Sequence, residues 1–193
     1  MALWLLLLLA ALPALGQSPT PQNMLPGCPD IVPKSEWGGF SSQCLRPLNL
    51  PVDNVLVSHT AGNPCFSPSD CEHQIRTIQR EHVRVRRKCD IAYNFLIGED
   101  GLIYEGRGWS TLGGHSDSTL NPISLGISFI GNFRNRSPDP RALRALQSLL
   151  SCGAKHGVLS SRYIIRRQWD APDLDSPEEM LYRALRTLPQ YRE

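Results

Sequence analysis

A short apolar run that ends in a histidine is the feature of this sequence that most restricts its fold. Residues 54–62 read NVLVSHTAG, so the apolar residues 55–57 lead directly to His59 and a polar turn. Such a run predicts a strand covered on both faces in the core of a mixed sheet. His59 would lie at the exit of the strand, where a rigid element directs a side chain into a crevice. This stretch alone leaves two interpretations open: a ligand-binding histidine and a half-buried histidine held by a hydrogen bond.

The N-terminus and the cysteines indicate an exported protein. Residues 1–16 form an apolar block that ends in Ala-Leu-Gly, the pattern of a secretory signal peptide, and no apolar stretch is long enough for a membrane span. We expect a signal peptide at 1–16, an N-terminal arm rich in Pro, Ser and Gln at 17–29, and a single domain at 30–193. The expected location is therefore outside the cell or in secretory granules.

Six cysteines in an oxidising compartment predict three disulfides. Spacing alone leaves their pairing open, although Cys65 and Cys71 are close enough to clip one loop. No CxxC pair occurs, which argues against a cysteine zinc site. The formal charge of +2 is too small to indicate a nucleic-acid partner.

Turn, capping and periodicity signals divide the chain into alternating strands and helices. After the strand that leads to His59, the predicted elements are a helix from Pro68 to about Arg87, a hairpin of 93–97 and 102–105, a strand at 124–131, a helix from 138 to about 157, a short strand at 163–165 and a terminal helix from 176. This order predicts an α/β fold with a mixed central β-sheet flanked by helices on both faces.

Several motifs in this order resemble the peptidoglycan recognition proteins, particularly their short secreted vertebrate type. They are VSHTAG at 57–62, YNFLIGEDGLIYEGRGW at 93–109, SLGISFIGNF at 124–133 and SPEEMLY at 176–182. The resemblance covers about residues 28–193. It implies a domain like that of N-acetylmuramoyl-L-alanine amidases, with a groove for the sugar and stem peptide of bacterial cell walls. It also implies the disulfides Cys28–Cys152, Cys44–Cys89 and Cys65–Cys71.

Enzymes of this family hold zinc with two imidazoles and a thiolate and keep one position for water. The resemblance places the first zinc histidine on His59, but the other two ligand positions hold Gln168 and Ser176. A neutral amide and a hydroxyl do not replace an imidazole and a thiolate. We therefore expect neither a metal cofactor nor amidase activity. The enzymatic alternative is residual zinc amidase activity, in which a nearby carboxylate replaces a lost ligand: Asp170, Asp173 or Asp175.

The resemblance also maps contacts to a muramyl peptide onto this chain, at His59, Thr60, Arg86, Tyr93, His115 and Asn121. Arg107 matches the arginine that pairs with the extra carboxylate of diaminopimelate stems in relatives, a task that suits a guanidinium fork. Relatives carry Gly-Trp or Asn-Phe where this chain has Arg87-Lys88, so its stem preference stays open.

Taken together, these features predict a secreted, antibacterial pattern-recognition protein that binds peptidoglycan without cutting it. A third hypothesis is an interaction module that has lost wall binding and engages a host receptor or another secreted protein. It is motivated by Gln168-Trp169 and by the cationic run at 86–88, since Trp and Arg are favoured at interfaces.

Overall fold

The computed structural model describes residues 25–168 and 180–193. The predictions that concern the signal peptide, Trp169, Ser176 and the three aspartates at 170, 173 and 175 lie outside the described residues. The strands are β1 Ile31–Val32, β2 Val52–His59, β3 Phe95–Ile97, β4 Ile103–Glu105, β5 Ser124–Phe129 and β6 Leu159–Arg167. The helices are α1 Pro68–Arg84, α2 Pro140–Lys155 and α3 Met180–Leu185, with a short 3-10 helix at Asn121–Ile123.

All six strands form one mixed sheet in the order β1-β4-β3-β5-β2-β6. The hairpin of β3 and β4 is its antiparallel pair, as the Asp-Gly turn predicts, and the other neighbours run parallel. β2 lies between β5 and β6, so its apolar run Val55 to Val57 is fully buried. The prediction of a strand covered on both faces is confirmed. His59, its last residue, lies at the carboxyl edge of the parallel strands.

Helices pack on both faces of the sheet, which confirms the predicted fold class. On one face, Leu146 of α2 and Leu181 of α3 join the larger apolar core. On the other face, Ile75 of α1 packs with Leu96 and Tyr104 in a second core. α1 begins as the sequence predicts, with Ser67 as its capping residue and a proline in the first turn.

Two predicted element boundaries are wrong. α1 ends at Arg84, because Arg87 takes a left-handed conformation (φ 54°) and the amide of Lys88 donates back to the carbonyl of His82. β6 has nine residues, where the sequence predicts a strand of three. Polar residues at its start concealed it, because an edge strand needs apolar side chains on one face only.

Three disulfides tie the loops to this framework. They are Cys28–Cys152, Cys44–Cys89 and Cys65–Cys71, the pairs that the resemblance implies. Within the two described ranges, no helix combines the length and the apolar character that a membrane crossing requires.

Candidate functional site

The face of the sheet that carries α1 is polar at its centre. In β5, Leu125 and Ile127 point to the α2 core, so Ser124, Gly126 and Ser128 point to the opposite face. The hydroxyl of Ser58 in β2 donates to that of Ser128 over 3.3 Å. A segment without a helix, residues 106–120, lies over this polar strip; we call it the groove loop.

The exit of β2 is fixed to residues 131–133. Nδ1 of His59 accepts the amide hydrogen of Phe133 at 3.0 Å, so the neutral ring carries its proton on Nε2. The hydroxyl oxygen of Thr60 accepts the amide hydrogen of Gly131 at 3.0 Å. Both predicted ligand residues are half-buried, and their backbone is held in a defined turn.

Gln168 continues β6 beside this exit; the resemblance implies that its position corresponds to the second zinc histidine of family enzymes. Its amide donates to the carbonyl of Val57 at 3.0 Å, and its side-chain Nε2 donates to the carbonyl of His115 at 2.5 Å. The side chain is buried and its nitrogen is used as a donor, so it offers no imidazole-like lone pair to a metal.

The described residues at this site do not fit zinc. Nδ1 of His59 accepts the amide hydrogen of Phe133, so Nε2 carries the ring proton and offers no lone pair to a metal in this arrangement. Elsewhere in residues 25–168 and 180–193, Cys28, Cys152 and His156 are close enough to hold an ion, but the two cysteines form a disulfide.

His115 is buried, and its side chain lies against the polar strip of β5. Its ring lies between Gly113 and Gly126, and a Cβ at either glycine would overlap it. Nε2 is 2.9 Å from the hydroxyl of Ser124, which itself donates to the carbonyl of Leu120, so the histidine donates from Nε2. Burial, and then the nearby cations, lower the pKa of His115 to about 3. The ring is therefore neutral at physiological pH.

Tyr93 lies beside a second buried histidine, His82. The two ring centroids are 5.6 Å apart, and Nδ1 of His82 accepts the amide hydrogen of Ala92 at 3.0 Å. Burial, followed by the charge of Arg86, lowers the pKa of His82 to about 4. We refer to His82 and His115 as the buried histidines.

Arg107 and Asn121, both predicted to contact ligand, brace the groove loop. The guanidinium of Arg107 donates to the carbonyls of Ile91 and Leu112, each at 2.7 Å, and burial lowers its pKa. Asn121 accepts from the amide and donates to the carbonyl of Ser116, both at 2.8 Å. Each side chain thus has a structural role in addition to the one that the resemblance implies.

The cationic run divides into three different environments. Arg86 is exposed and donates to one carboxylate oxygen of Glu81, over 2.8 and 3.0 Å. Arg87, the residue in the left-handed conformation, has an exposed side chain. Lys88 turns inward, and its Nζ donates to the carbonyl of Gly114 at 2.6 Å.

Asn94 is a residue of the site that the sequence predictions missed. It is fully buried, and its side chain donates to the carbonyls of Gly108 and Thr111, both at 2.8 Å, and accepts from the amide of Gly126 at 2.9 Å. It therefore joins the groove loop to β5. The available signal was a polar residue inside the apolar stretch YNFLI.

These contacts bring the predicted positions together on one face. Arg86 and Tyr93 flank His82, and Gln168 connects His115 to the strand that ends at His59. Arg107 and Asn121 complete the groove loop between them. Ser176 lies outside the described residues.

Known proteins match this chain over most of its length. A family model described as N-acetylmuramoyl-L-alanine amidase matches residues 48–178. Peptidoglycan recognition protein 1 of Bos indicus is 50% identical over 165 residues, which cover 86% of this chain and 87% of that protein. The protein of the same name from Mus musculus is 48% identical over 166 residues, with coverages of 86% and 91%.

Two solved structures with bound ligands are also similar. Peptidoglycan recognition protein-LE in complex with tracheal cytotoxin, a monomeric diaminopimelic acid-type peptidoglycan, has a TM-score of 0.79 and 39% identity, covering 84% of this chain and 95% of that chain. Human PGRP-IβC in complex with glycosamyl muramyl pentapeptide has a TM-score of 0.79 and 37% identity, with coverages of 86% and 100%. By sequence and by fold, this chain belongs to the peptidoglycan recognition protein family.

Proposed function

We propose that this protein binds bacterial peptidoglycan, through its muramyl peptides, in the groove between α1 and the groove loop. Two relatives that share its fold over 84% and 86% of this chain hold tracheal cytotoxin and a glycosamyl muramyl pentapeptide. A muramyl peptide carries sugar hydroxyls, peptide amides and carboxylates. A site with a few convergent polar groups suits such a ligand.

The observation that carries the proposal is the convergence of the predicted ligand positions on one face of the sheet. Thr60 lies at the strand exit, Tyr93 beside α1, and Asn121 at the end of the groove loop. The cation Arg86 stands at the rim, where it can attract the carboxylates of a stem peptide. Because the backbone around these residues is held by hydrogen bonds, little ordering cost remains for ligand binding.

We further propose that the protein recognises the wall without hydrolysing it. Support comes from the donor role of the Gln168 amide nitrogen, and from serine at 176, where the family's enzymes have a thiolate. Without two of three ligands, a metal cannot activate water at this position. The role that follows is recognition in innate defence, by a protein secreted after removal of residues 1–16. N-terminal sequencing of the exported protein tests that cleavage.

Retention on insoluble peptidoglycan tests the binding proposal. The full chain with intact disulfides is mixed with lysine-type or diaminopimelate-type peptidoglycan at moderate salt, and the bound fraction is measured. We expect retention that Arg86→Met weakens several-fold, because a rim cation is lost. The matched control Arg144→Met, on exposed α2 surface beyond the opposite face of the sheet, should bind like the wild type. No retention of the folded protein on either polymer would refute the proposal.

Release of free stem peptide tests the absence of hydrolysis. The protein is incubated with peptidoglycan in the presence of zinc and, separately, of a chelator. We expect no release in either case. Release that both the chelator and His59→Ala abolish would instead support the zinc amidase alternative.

A further inference from the structure

The part of the groove loop nearest the polar strip, residues 111–115, forms no helix or extended strand; we call it the wall segment. Its backbone amides at Leu112 and Gly114 donate to the carbonyls of Arg46 and Ala92. Side chains from other elements bind its backbone oxygens. Each side chain donates to one backbone carbonyl: Asn94 to that of Thr111, Arg107 to that of Leu112, Lys88 to that of Gly114, and Gln168 to that of His115. The wall segment is therefore positioned by side chains that belong to other parts of the chain.

Its sequence explains why such support is needed. Gly113 and Gly114 occupy its centre, and glycine loses more conformational freedom on ordering than any other residue. Contacts restrict both positions: a Cβ on Gly113 would overlap the ring of His115, and one on Gly114 would come within 2.8 Å of the end of the Arg107 side chain. The segment must therefore be flexible in itself and held from outside.

Lys88 and Gln168 hold adjacent carbonyls of this segment from different elements. Lys88 follows α1 and reaches Gly114 over 2.6 Å, whereas Gln168 follows β6 and reaches His115 over 2.5 Å. Both are positions at which this sequence departs from the family's patterns, as is Arg87 beside Lys88. Lys88 and Gln168 each place an N–H donor against the same pair of residues.

We propose that Lys88 and Gln168 are a coupled pair of positioning residues that set the conformation of the groove wall. The inference deepens the proposed function and rests on it. Gln168, at the position that the resemblance gives to a metal ligand, supports the wall segment through His115. Lys88 acts through Gly114 and not through contact with the stem peptide. Affinity for muramyl peptide then depends on two side chains whose polar ends are directed at the protein backbone.

Isosteric variants without a donor test the pair in the full, disulfide-bonded chain. Lys88→Met, Gln168→Met and the double variant each remove an N–H while keeping most of the side-chain volume. Lys88→Arg keeps an N–H donor and should therefore retain the wild-type conformation of the wall segment. Lys155→Met and Gln147→Met, at exposed positions of α2, are matched controls.

The first readout is amide hydrogen exchange without ligand. The amides of Gly114 and Ser116 are bonded to the carbonyl of Ala92 and the side chain of Asn121. We expect each donor-free variant to accelerate their exchange about 10-fold, since a released segment opens more often. The amide of Asn94, bonded to Gly126 at 2.8 Å, should be unchanged, which also shows that the sheet remains folded.

The second readout is the dissociation constant for a soluble muramyl pentapeptide. We expect it to rise about 5- to 10-fold in each single variant, and in the double variant by less than the product of the two, because both residues act on one segment. Lys88→Arg should lie within about 2-fold of the wild type.

The possible failures of the two proposals are distinguishable. If the wild type fails to bind muramyl peptide, the proposed function fails. If the wild type binds but the donor-free variants show unchanged exchange at Gly114 and Ser116, the positioning pair is refuted. Multiplicative affinity losses in the double variant would refute the coupling, and a full loss in Lys88→Arg would show that Lys88 acts by direct contact with the ligand.

Discussion

Replacing Asn94 by alanine should destabilise this protein more than any exposed substitution, although Asn94 is not among the residues that the sequence predicts to bind ligand. Its side chain makes three hydrogen bonds, with the carbonyls of Gly108 and Thr111 and the amide of Gly126. Alanine retains none of them. The groove loop then loses its attachment to β5.

The expected cost follows from these contacts. Each buried hydrogen bond contributes about 1 kcal/mol net, and three are lost, so the free energy of unfolding should fall by about 3 kcal/mol. The amide of Gly126 lies in the sheet and is buried, which works against compensation by water. For a chain of this size, such a loss lowers Tm by about 6–12 °C.

Urea unfolding, followed by tryptophan fluorescence and circular dichroism, measures the effect directly. Asn63→Ala, at an exposed position, is the matched control and should change stability by less than about 0.5 kcal/mol. If Asn94→Ala costs less than about 1 kcal/mol, or no more than the control, the reasoning from its hydrogen bonds is wrong.

Three further predictions concern the rest of the molecule. The buried histidines have pKa values of about 4 and 3, below the unfolded value near 6.5, so the unfolded chain takes up more protons as pH falls. Stability should be complete above pH 6.5 and fall by roughly 2–4 kcal/mol from pH 7 to pH 5 in urea titrations, and His115→Gln should reduce this slope. Gly126→Ala should cost about 1–3 kcal/mol in the same assay, because its Cβ would overlap the His115 ring, whereas Gly62→Ala, 3.8 Å from its nearest contact, should be nearly neutral. Replacing both cysteines of Cys28–Cys152 by alanine should lower the free energy of unfolding more than the same change at Cys65–Cys71, because the first disulfide closes a loop of 124 residues and the second one of 6. Calorimetry measures both losses, and the reverse order would contradict the chain-entropy account.

Elements with strong local signals could be predicted from the sequence. The start of α1 follows from Ser67 and Pro68, and the hairpin from the Asp-Gly turn, because capping and turn chemistry depend on neighbouring residues. The predicted end of α1 is wrong because Val85 fits the apolar periodicity of the helix but is 72% exposed in the structure. Whether an apolar residue at helical spacing is buried depends on packing partners far away in sequence.

The structural roles of the predicted site residues could not be predicted from the sequence, for a related reason. Arg107, His115 and Asn121 were identified by resemblance as ligand residues, yet much of the hydrogen bonding of each is with the protein itself. A motif records that a residue type is needed at a position. It does not record whether the side chain faces a ligand or a backbone carbonyl, because both tasks select a polar side chain.

Lys88 and Gln168 are the strongest case of this limit. Read as letters, Gln168 marks only the loss of a zinc ligand and Lys88 only an unmatched specificity motif. Their shared role is invisible in the sequence, because 80 residues separate them and their acceptors are main-chain carbonyls, which every residue has. A metal ligand and a hydrogen-bond donor at the end of β6 can both fix the geometry of this edge. If Gln168 supports the wall segment as proposed, the groove keeps its geometry without a metal at this edge.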